Sequence, residues 1–296
     1  MEIIMNDFSA SACLPQRDAR GHKGTFGRAF AYVGSKKFPG AAHLALEAML
    51  SGGCGYTEIA GEAELVGSLI SKFPEAIYNV LPPTEELASG DIEAVCKKSA
   101  SAGATLIGSG SDTSEALAKL TMRLFAVDTD APIVVDADAL NSIAKYSNPE
   151  EAIREAKRPV IITPHEMEFS RISKIPLDKI HGDRSGVAVE FARNNGCTVV
   201  LKGHGTVITD GKKIFVNPTG GSALAKGGSG DALAGLLTSL LCFSHTSATD
   251  TAALACFIHG EAGDELAEVY SDYGVTPSDL PKQMATVMKR LSEIKI

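Results

Sequence analysis

From Arg28 to Gly203 the sequence keeps returning to short apolar runs, each closed by a small, polar or charged residue and followed by a helical pattern. "RAFAYVGS" (28–35) leads into "GAAHLALEAMLSGG", and "ATLIGSGS" (104–111) precedes a helix expected from about Ser114 to Phe125. "APIVVDADAL" (131–140), "RPVIITPHE" (158–166) and "CTVVLKG" (197–203) continue the series. Between the first two lie "YTEIA", a helix near 62–72, "AIYNVL" and a charged helix near 84–100. Asp183 is placed to cap "DRSGVAVEFARNNG", with Gly196 past its end. Strands that are apolar throughout, alternating with helices, specify an α/β fold with a mostly parallel sheet covered on both faces. "GTVITDGKKIFVNP" breaks the rhythm, because two β-rich runs flank Asp210-Gly211, a hairpin signal just before a glycine-rich loop. Three helices are expected at the end of the chain, near 230–242, 248–269 and 277–293.

With no linker, repeat or low-complexity stretch, the expectation is one domain over residues 1–296, residues 1–20 forming an N-terminal extension. In an open α/β sheet, ligands gather at the carboxyl ends of the strands. Gly34-Ser35, Gly108-Ser109-Gly110, Asp136, His165 and Lys202-Gly203 all stand at such ends. Composition narrows the partners. A formal charge of −8 argues against nucleic acid and anionic membrane surfaces. No run of about eighteen apolar residues suggests a membrane span, and the N-terminus lacks the apolar core of a secretory signal. Six scattered cysteines without a C-x-x-C pair read as reduced thiols, which points to the cytoplasm.

The nucleotide signatures G-x-x-x-x-G-K-[ST] and strand-linked G-x-G-x-x-G do not occur, nor do H-E-x-x-H and G-x-S-x-G. The most informative stretch is "KGGSGDALAGLLTSLL" (226–241), a glycine-rich turn feeding a helix, whose free N–H groups suit a phosphate. Asp231 is then the puzzle, a carboxylate where an anion belongs. Either it is favoured only by the positive end of the helix dipole, or it is a base that takes the proton of a hydroxyl attacking a phosphoryl group held beside it. The second reading also gives the preceding glycines a purpose, close approach of backbone to a ligand.

Elsewhere local reading leaves two options. "LKGHGTVI" (201–208) is a plain turn or a nucleotide contact through Lys202 and its glycines. "TPHEMEF" (163–169) offers His165, Glu166 and Glu168 as surface and capping residues or as crevice residues. Asp136 points into the crevice or not, while Asp138 caps a helix; "GHKGTFGRA" (21–29) is a loop or a phosphate-facing lid.

Taken together, "HKGTFGRAFAYVGS", "FPGAAHLALEAMLSGGCGYT", "VVDADAL", "ITPHEMEF", "LKGHGTVITDG" and "NPTGGSALAKGGSGDALAG" resemble the NAD(P)H-hydrate dehydratase family of the ribokinase-like superfamily, from about His22 to "TPSDLP". The resemblance implies a ribokinase-like fold and repair of the S epimer of hydrated NADH or NADPH. It implies phosphorylation of the ring hydroxyl from ADP or ATP with Mg²⁺, then elimination of phosphate. Carried over residue by residue, it assigns Lys202, Gly203, His204, Gly205, Thr206 and Gly230 to the adenine nucleotide. Asp231 becomes the catalytic base and a substrate contact, joined on the substrate side by Ala41, Gly110 and His165. Glu168 becomes a helper for Mg²⁺ through water. A homotetramer, and a separate epimerase supplying the S epimer, are further implications. The sequence departs from the family at Glu166-Met167, where Pro-Gly is frequent, at "GSGSD" for "GPGLG", and at Lys226, where Thr is common. The alternative is a ribokinase-like kinase of a vitamin precursor, told apart by a stable phosphorylated product. A nucleotide-binding regulator would gain nothing from Asp231, and a structural protein leaves the glycine-rich strand ends unexplained.

Overall fold

The computed structural model describes residues 2–294. In chain order the elements are α1 (Asp7–Cys13), β1 (Arg28–Tyr32), α2 (Pro39–Ser51), β2 (Tyr56–Glu62), α3 (Ala63–Ile70), β3 (Ile77–Leu81), α4 (Ser89–Ala100), β4 (Ala104–Ile107) and α5 (Glu115–Phe125). They continue with β5 (Ile133–Val135), α6 (Ala137–Tyr146), α7 (Pro149–Arg154), β6 (Val160–Ile162), α8 (Glu166–Ser173), α9 (Leu177–Gly182), α10 (Arg184–Asn195) and β7 (Thr198–Leu201). β8 (Val207–Thr209), β9 (Ile214–Val216), α11 (Ser229–Leu241), α12 (Ala248–Gly274) and α13 (Leu280–Ser292) complete the chain.

The strands form one sheet in the order β3-β2-β1-β4-β5-β6-β7-β8-β9. Pairing is parallel from β3 to β7, and antiparallel for β7 with β8 and β8 with β9. The expected hairpin is therefore β8–β9, turning at Asp210-Gly211, and the expected parallel sheet with helices on both faces is what forms. Because side chains alternate across a strand, each apolar run feeds two cores. Ala29, Ala31, Leu106, Val134, Ile161 and Val200 pack under α2, α11, α12 and α13. Phe30, Ile107, Ile133, Val135, Ile162 and Leu201 pack under α5, α6, α8 and α10. A polar residue inside a strand buried on both faces must find its partner locally, as Glu58 in β2 does with Arg28 and Lys98, so polar groups able to face a ligand stand at the strand ends.

The strand order reverses direction between β1 and β4, the position where a doubly wound sheet opens a crevice. On that side α11 lies directly on α2: a Cβ at Gly235 would come within 2.3 Å of the Ala45 carbonyl oxygen. This close approach draws the start of α11, with Asp231, over the carboxyl ends of the central strands.

The sequence reading differs from the structure in detail. The charged helix expected near 84–100 splits into a 3₁₀ turn at Thr84–Glu86 and α4, and α1, α7 and α9 were too short to register as periodic patterns. α12 runs past 269 to Gly274 through a break at Ser271, whose φ is +60°. The N-terminal stretch is tied in: Ile3 exchanges backbone hydrogen bonds with Ile214 and Val216 at 2.8 and 3.1 Å, and Ser11 Oγ donates to the Leu291 carbonyl at 2.8 Å. The six cysteines are free, and burial pushes the Cys197 and Cys256 thiols up to about 12. Among the described residues no helix is long and apolar enough to cross a membrane.

Candidate active site

Four neighbouring strands end in polar residues, and three of these meet the carboxylate of the fourth. Asp136, the residue after β5, is buried at 1% exposure. Its Oδ2 accepts from Ser109 Oγ at 2.9 Å, beyond the end of β4. Its Oδ1 accepts from Thr163 Oγ1, beyond β6, and from Lys202 Nζ, beyond β7, both at 2.8 Å. A buried carboxylate is tolerated only when paired and hydrogen-bonded, and here both conditions hold. The charges of Asp136, Glu168 and Asp231 together hold the Lys202 ammonium above its usual range, against the opposing effect of burial. Lys202 is thus a fixed cation at the junction of three acids.

Asp231 lies in the first turn of α11 and keeps a partly exposed face. Burial, and then the negative charge of Asp136, push its carboxyl from 3.8 up to about 7, with Lys202 and Ser109 acting the other way. A group poised near neutrality at a helix start is neither an ordinary cap nor a permanently charged acid. The glycines before it divide the work. Gly228 has φ +106°, and a Cβ there would meet Leu44 at 2.5 Å. Gly230 has ordinary helical backbone, and a Cβ on it would sit 3.3 Å from Lys202 Nζ. The first permits the turn, and the second leaves room beside the cation.

On one side of this junction opens a cavity of about 480 Å³. Lys202, Gly203, His204, Thr206 and Gly230, all expected on the nucleotide side, line it together. Gly205 is not among the lining residues and shapes the turn with φ +64°. Thr206 Oγ1 donates to the Gly203 carbonyl at 2.9 Å, and Arg184 clamps the turn from behind by donating to the carbonyls of Leu201 and His204 at 3.0 and 3.2 Å. The far wall comes from Asn217, Leu224, Leu233, Cys256 and His259. Burial pushes His259 down to about 4, so it is neutral, and its Nε2 donates to the Ser229 carbonyl at 3.0 Å.

On the other side are the ends of β1, β4 and β6. Gly110, with φ +65°, faces Ala41 so closely that a Cβ would lie 2.5 Å from the alanine's, which brings these two expected substrate contacts together. Gly108 instead packs against the Asp136 carbonyl and Ala139, away from Ala41. His165 caps α8: its Nδ1 accepts from the backbone N–H groups of Met167 and Glu168 at 3.1 and 3.3 Å, leaving Nε2 to carry the proton. Burial, Lys202 and Arg171 hold it below its usual range. Glu168 is buried at 4% exposure, and its Oε2 accepts from His165 N–H at 2.8 Å. Burial raises its carboxyl, and the nearby Lys202 charge opposes that.

Among the described residues no group of three or more His, Cys, Asp or Glu is clustered for a metal ion. A Mg²⁺ carried on phosphates needs only one or two carboxylates and retains waters. Glu168 fits that role from a distance, since one of its oxygens is already committed to backbone. Lys226 does not reach this site: its ammonium donates to the carbonyls of Tyr273, at 2.9 Å, and Val275 at the end of α12. Ser109 was legible only as part of the Gly108-Ser109-Gly110 strand end, and Thr163, Arg184 and His259 were given no role by the sequence. The first two share a signal, a hydroxyl residue one or two places beyond an apolar strand; the others have none. Asp138 does not cap α6, and its oxygens accept from Asp112 N and Thr113 Oγ1, both at 3.0 Å.

A family model described as NAD(P)H-hydrate dehydratase matches residues 31–286. The chain belongs to the NAD(P)H-hydrate dehydratase family. Within it, the ADP-dependent (S)-NAD(P)H-hydrate dehydratase of Bacillus subtilis is 33% identical over 94% of this chain and 95% of its own length. The bifunctional NAD(P)H-hydrate repair enzyme Nnr of Thermofilum pendens is 31% identical over 95% of this chain. This chain spans about half, 53%, of that relative's length. Among solved structures, the ADP/ATP-dependent NAD(P)H-hydrate dehydratase from Bacillus subtilis, co-crystallised with ATP/Mg²⁺, superposes with a TM-score of 0.83 at 31% identity, covering 97% of each chain. A ribokinase-like superfamily protein from Enterococcus faecalis gives 0.84 at 25% identity, covering 98% of this chain and 96% of that one. The dehydratase family and the ribokinase-like fold therefore agree with the sequence reading.

Proposed function

We propose that the chain dehydrates the S epimer of hydrated NADH or NADPH at the expense of a nucleotide, returning NADH or NADPH. ADP, or ATP, donates its terminal phosphoryl group to the ring hydroxyl, and phosphate is then eliminated, so that ADP yields AMP and phosphate. The observation that carries this reading is Asp231, with its carboxyl pushed up to about 7. It follows Gly230 of the cavity lining in the first turn of α11 and feels Ser109, Asp136 and Lys202, at the ends of β4, β5 and β7. As a carboxylate it takes the proton of the ring hydroxyl, whose oxygen attacks the terminal phosphorus. The N–H groups at the start of α11 and the Lys202 ammonium hold the transferring group and its growing charge. Phosphate then leaves with the C–O electron pair, and loss of a proton from the neighbouring ring carbon restores the double bond. Bound Mg²⁺, with Glu168 acting through water, would neutralise phosphate charge.

Lys202, Gly203, His204, Gly205, Thr206 and Gly230 serve the nucleotide in this scheme, while Ala41, Gly110 and His165 serve the dinucleotide. The sequence of the B. subtilis relative, named for ADP dependence, and the ATP/Mg²⁺ structure support the nucleotide and the ion. The same reading carries one domain over 1–296, a cytoplasmic homotetramer and a separate epimerase as supplier of the S epimer; light scattering tests the tetramer. The decisive experiment is return of near-ultraviolet absorbance from hydrated NADH and NADPH with and without each nucleotide and Mg²⁺. Turnover is expected only with nucleotide, better with ADP. Full turnover without nucleotide, or accumulation of a stable phosphorylated product, would falsify the scheme.

A further inference from the structure

Most cations around the carboxyl ends of the strands are committed. Lys37 pairs with Asp112, Lys202 with Asp136 and Arg184 with Glu166. Two are not. Lys145, in the last turn of α6, and Arg171, on α8, have no carboxylate within ion-pair distance among the described residues. Arg171 Nη1 donates to Asn141 Oδ1 at 2.8 Å, which orients the guanidinium toward α6 and leaves its other N–H groups free. Both cations line a cavity of about 490 Å³ with Thr113, Asn141 and Ala144. Of the acids nearby, Asp138 is turned into the loop after β4, where its oxygens accept from Asp112 N and Thr113 Oγ1, and Glu168, which feels the Arg171 charge, is buried and accepts from His165 N–H.

This cavity is continuous in the fold with the proposed substrate side. Thr113 belongs to the same loop as Gly110, and Arg171 stands on the helix that His165 caps, close enough to hold the His165 imidazole below its usual range. Asp136 stands at the N-terminus of α6 and Lys145 in its last turn, so the ten-residue helix sets them about 15 Å apart at most. A dinucleotide with its nicotinamide ring at Asp231 must run outward across these strand ends, carrying a bridging pyrophosphate and, in the NADP form, a 2′-phosphate. A protein of formal charge −8 repels such a polyanion unless cations face it locally. An arginine fork and a lysine, both free of carboxylates, supply that.

We propose that the cavity between α6 and α8 is the subsite for phosphoryl groups at the far end of the dinucleotide, held by Lys145 and Arg171. This deepens the function proposed above and rests on its choice of substrate. The test compares the wild-type protein with the Lys145→Gln/Arg171→Gln double variant and with a charge-keeping Lys145→Arg/Arg171→Lys variant. Both positions are exposed, so folding is unaffected. Binding of the stable products NADPH and NADH is followed by fluorescence, and turnover of their hydrated forms by absorbance. In the glutamine variant, dinucleotide Kd and KM should rise roughly tenfold, as loss of two exposed charge-assisted contacts implies. The kcat and the KM for ADP should hold, and the charge-keeping variant should recover most of the affinity. A rise confined to NADPH and its hydrate assigns the cavity to the 2′-phosphate; a rise for both cofactors assigns it to the pyrophosphate. Unchanged Kd and KM for both overturns the subsite while leaving the proposed reaction standing. Cation-dependent binding of NADPH or NADH without any turnover overturns the reaction and keeps the subsite. Absence of any dinucleotide binding overturns both.

Discussion

The two sides of the Asp136–Lys202 junction are built from different materials. The cavity toward β8 and α12 is walled by glycine backbone, uncharged polar side chains such as Thr206, Asn217 and Thr219, His204, a neutral His259 and apolar side chains, with Lys202 as its charged element. That lysine is already bound to Asp136. The side at the ends of β1, β4 and β6 holds the acids, capped by His165 and closed by the Ala41–Gly110 contact. A wall of backbone N–H groups accepts an anion without a matching set of side-chain cations. A wall of acids held by one lysine instead sets protonation states. In the proposed reaction the first side holds a group and the second moves a proton, and Asp231 is the residue that serves both.

The largest effect is expected at Asp231. Asp231→Asn keeps the shape and removes the base, so turnover should fall by roughly two to four orders of magnitude, while ADP affinity holds or improves. If the variant turns over at a near-wild-type rate, the carboxyl only caps α11 and the two sides are not coupled through it. In the wild type, turnover should rise with pH through about 7 as the carboxyl ionises. Stability should move the other way. From pH ~4 to ~7 the unfolded carboxyl is ionised while the folded one still holds its proton, so stability falls with rising pH across that window. At ~1.4 kcal/mol per pKa unit the cost above pH 7 is a few kcal/mol. Asp231→Asn should therefore melt higher than wild type at pH 8, with the gain vanishing near pH 4; an equal gain at both pH values would remove the charge explanation.

Next in size is the lysine. Lys202→Ala leaves Asp136 buried without its cation, which should cost about 3–5 kcal/mol in urea unfolding. Adding Asp136→Asn should restore a good part of that, because the uncompensated charge is gone. Additive losses in the double variant would mean that the pair is not coupled, and the junction would lose its physical basis.

A smaller change is expected at Gly230. The backbone there is ordinary helix, so valine meets no conformational penalty of the kind found at Gly228, but its methyl groups crowd Lys202 Nζ and the cavity. Gly230→Val should weaken ADP binding about tenfold in calorimetry, as loss of a close backbone approach to the phosphate would do, with the fold intact. Unchanged ADP affinity would take the nucleotide away from this wall.

The smallest effect belongs to His165. His165→Ala should raise the KM for the hydrated cofactor a few-fold and leave that for ADP nearly unchanged. Losing the cap of α8 should cost about 1 kcal/mol of stability. Equal shifts in both KM values would erase the division between the two sides.

What the sequence determined by itself was the layering and the address of the site. Continuous apolar runs can be buried only in a sheet covered on both faces, and the residues that close each run fall at a strand end, so Gly110, Asp136, His165 and Lys202 were legible as strand-end positions. The turn at Asp210-Gly211 and the cap at Asp183 were legible for the same local reason: their chemistry acts within a few residues. Tertiary structure decided which strand ends meet. Thr163, Ser109 and Lys202 converge on Asp136 because β4, β5, β6 and β7 are neighbours in the sheet, an order that spacing along the chain does not encode. It also decided how each glycine and each charge is used. Gly228 bears the positive φ while Gly230 leaves space, and Lys226 turns away to the end of α12. Asp231 sits near neutrality only because folding buries it beside Asp136, and the field of one carboxylate at another depends on distance through space rather than along the chain.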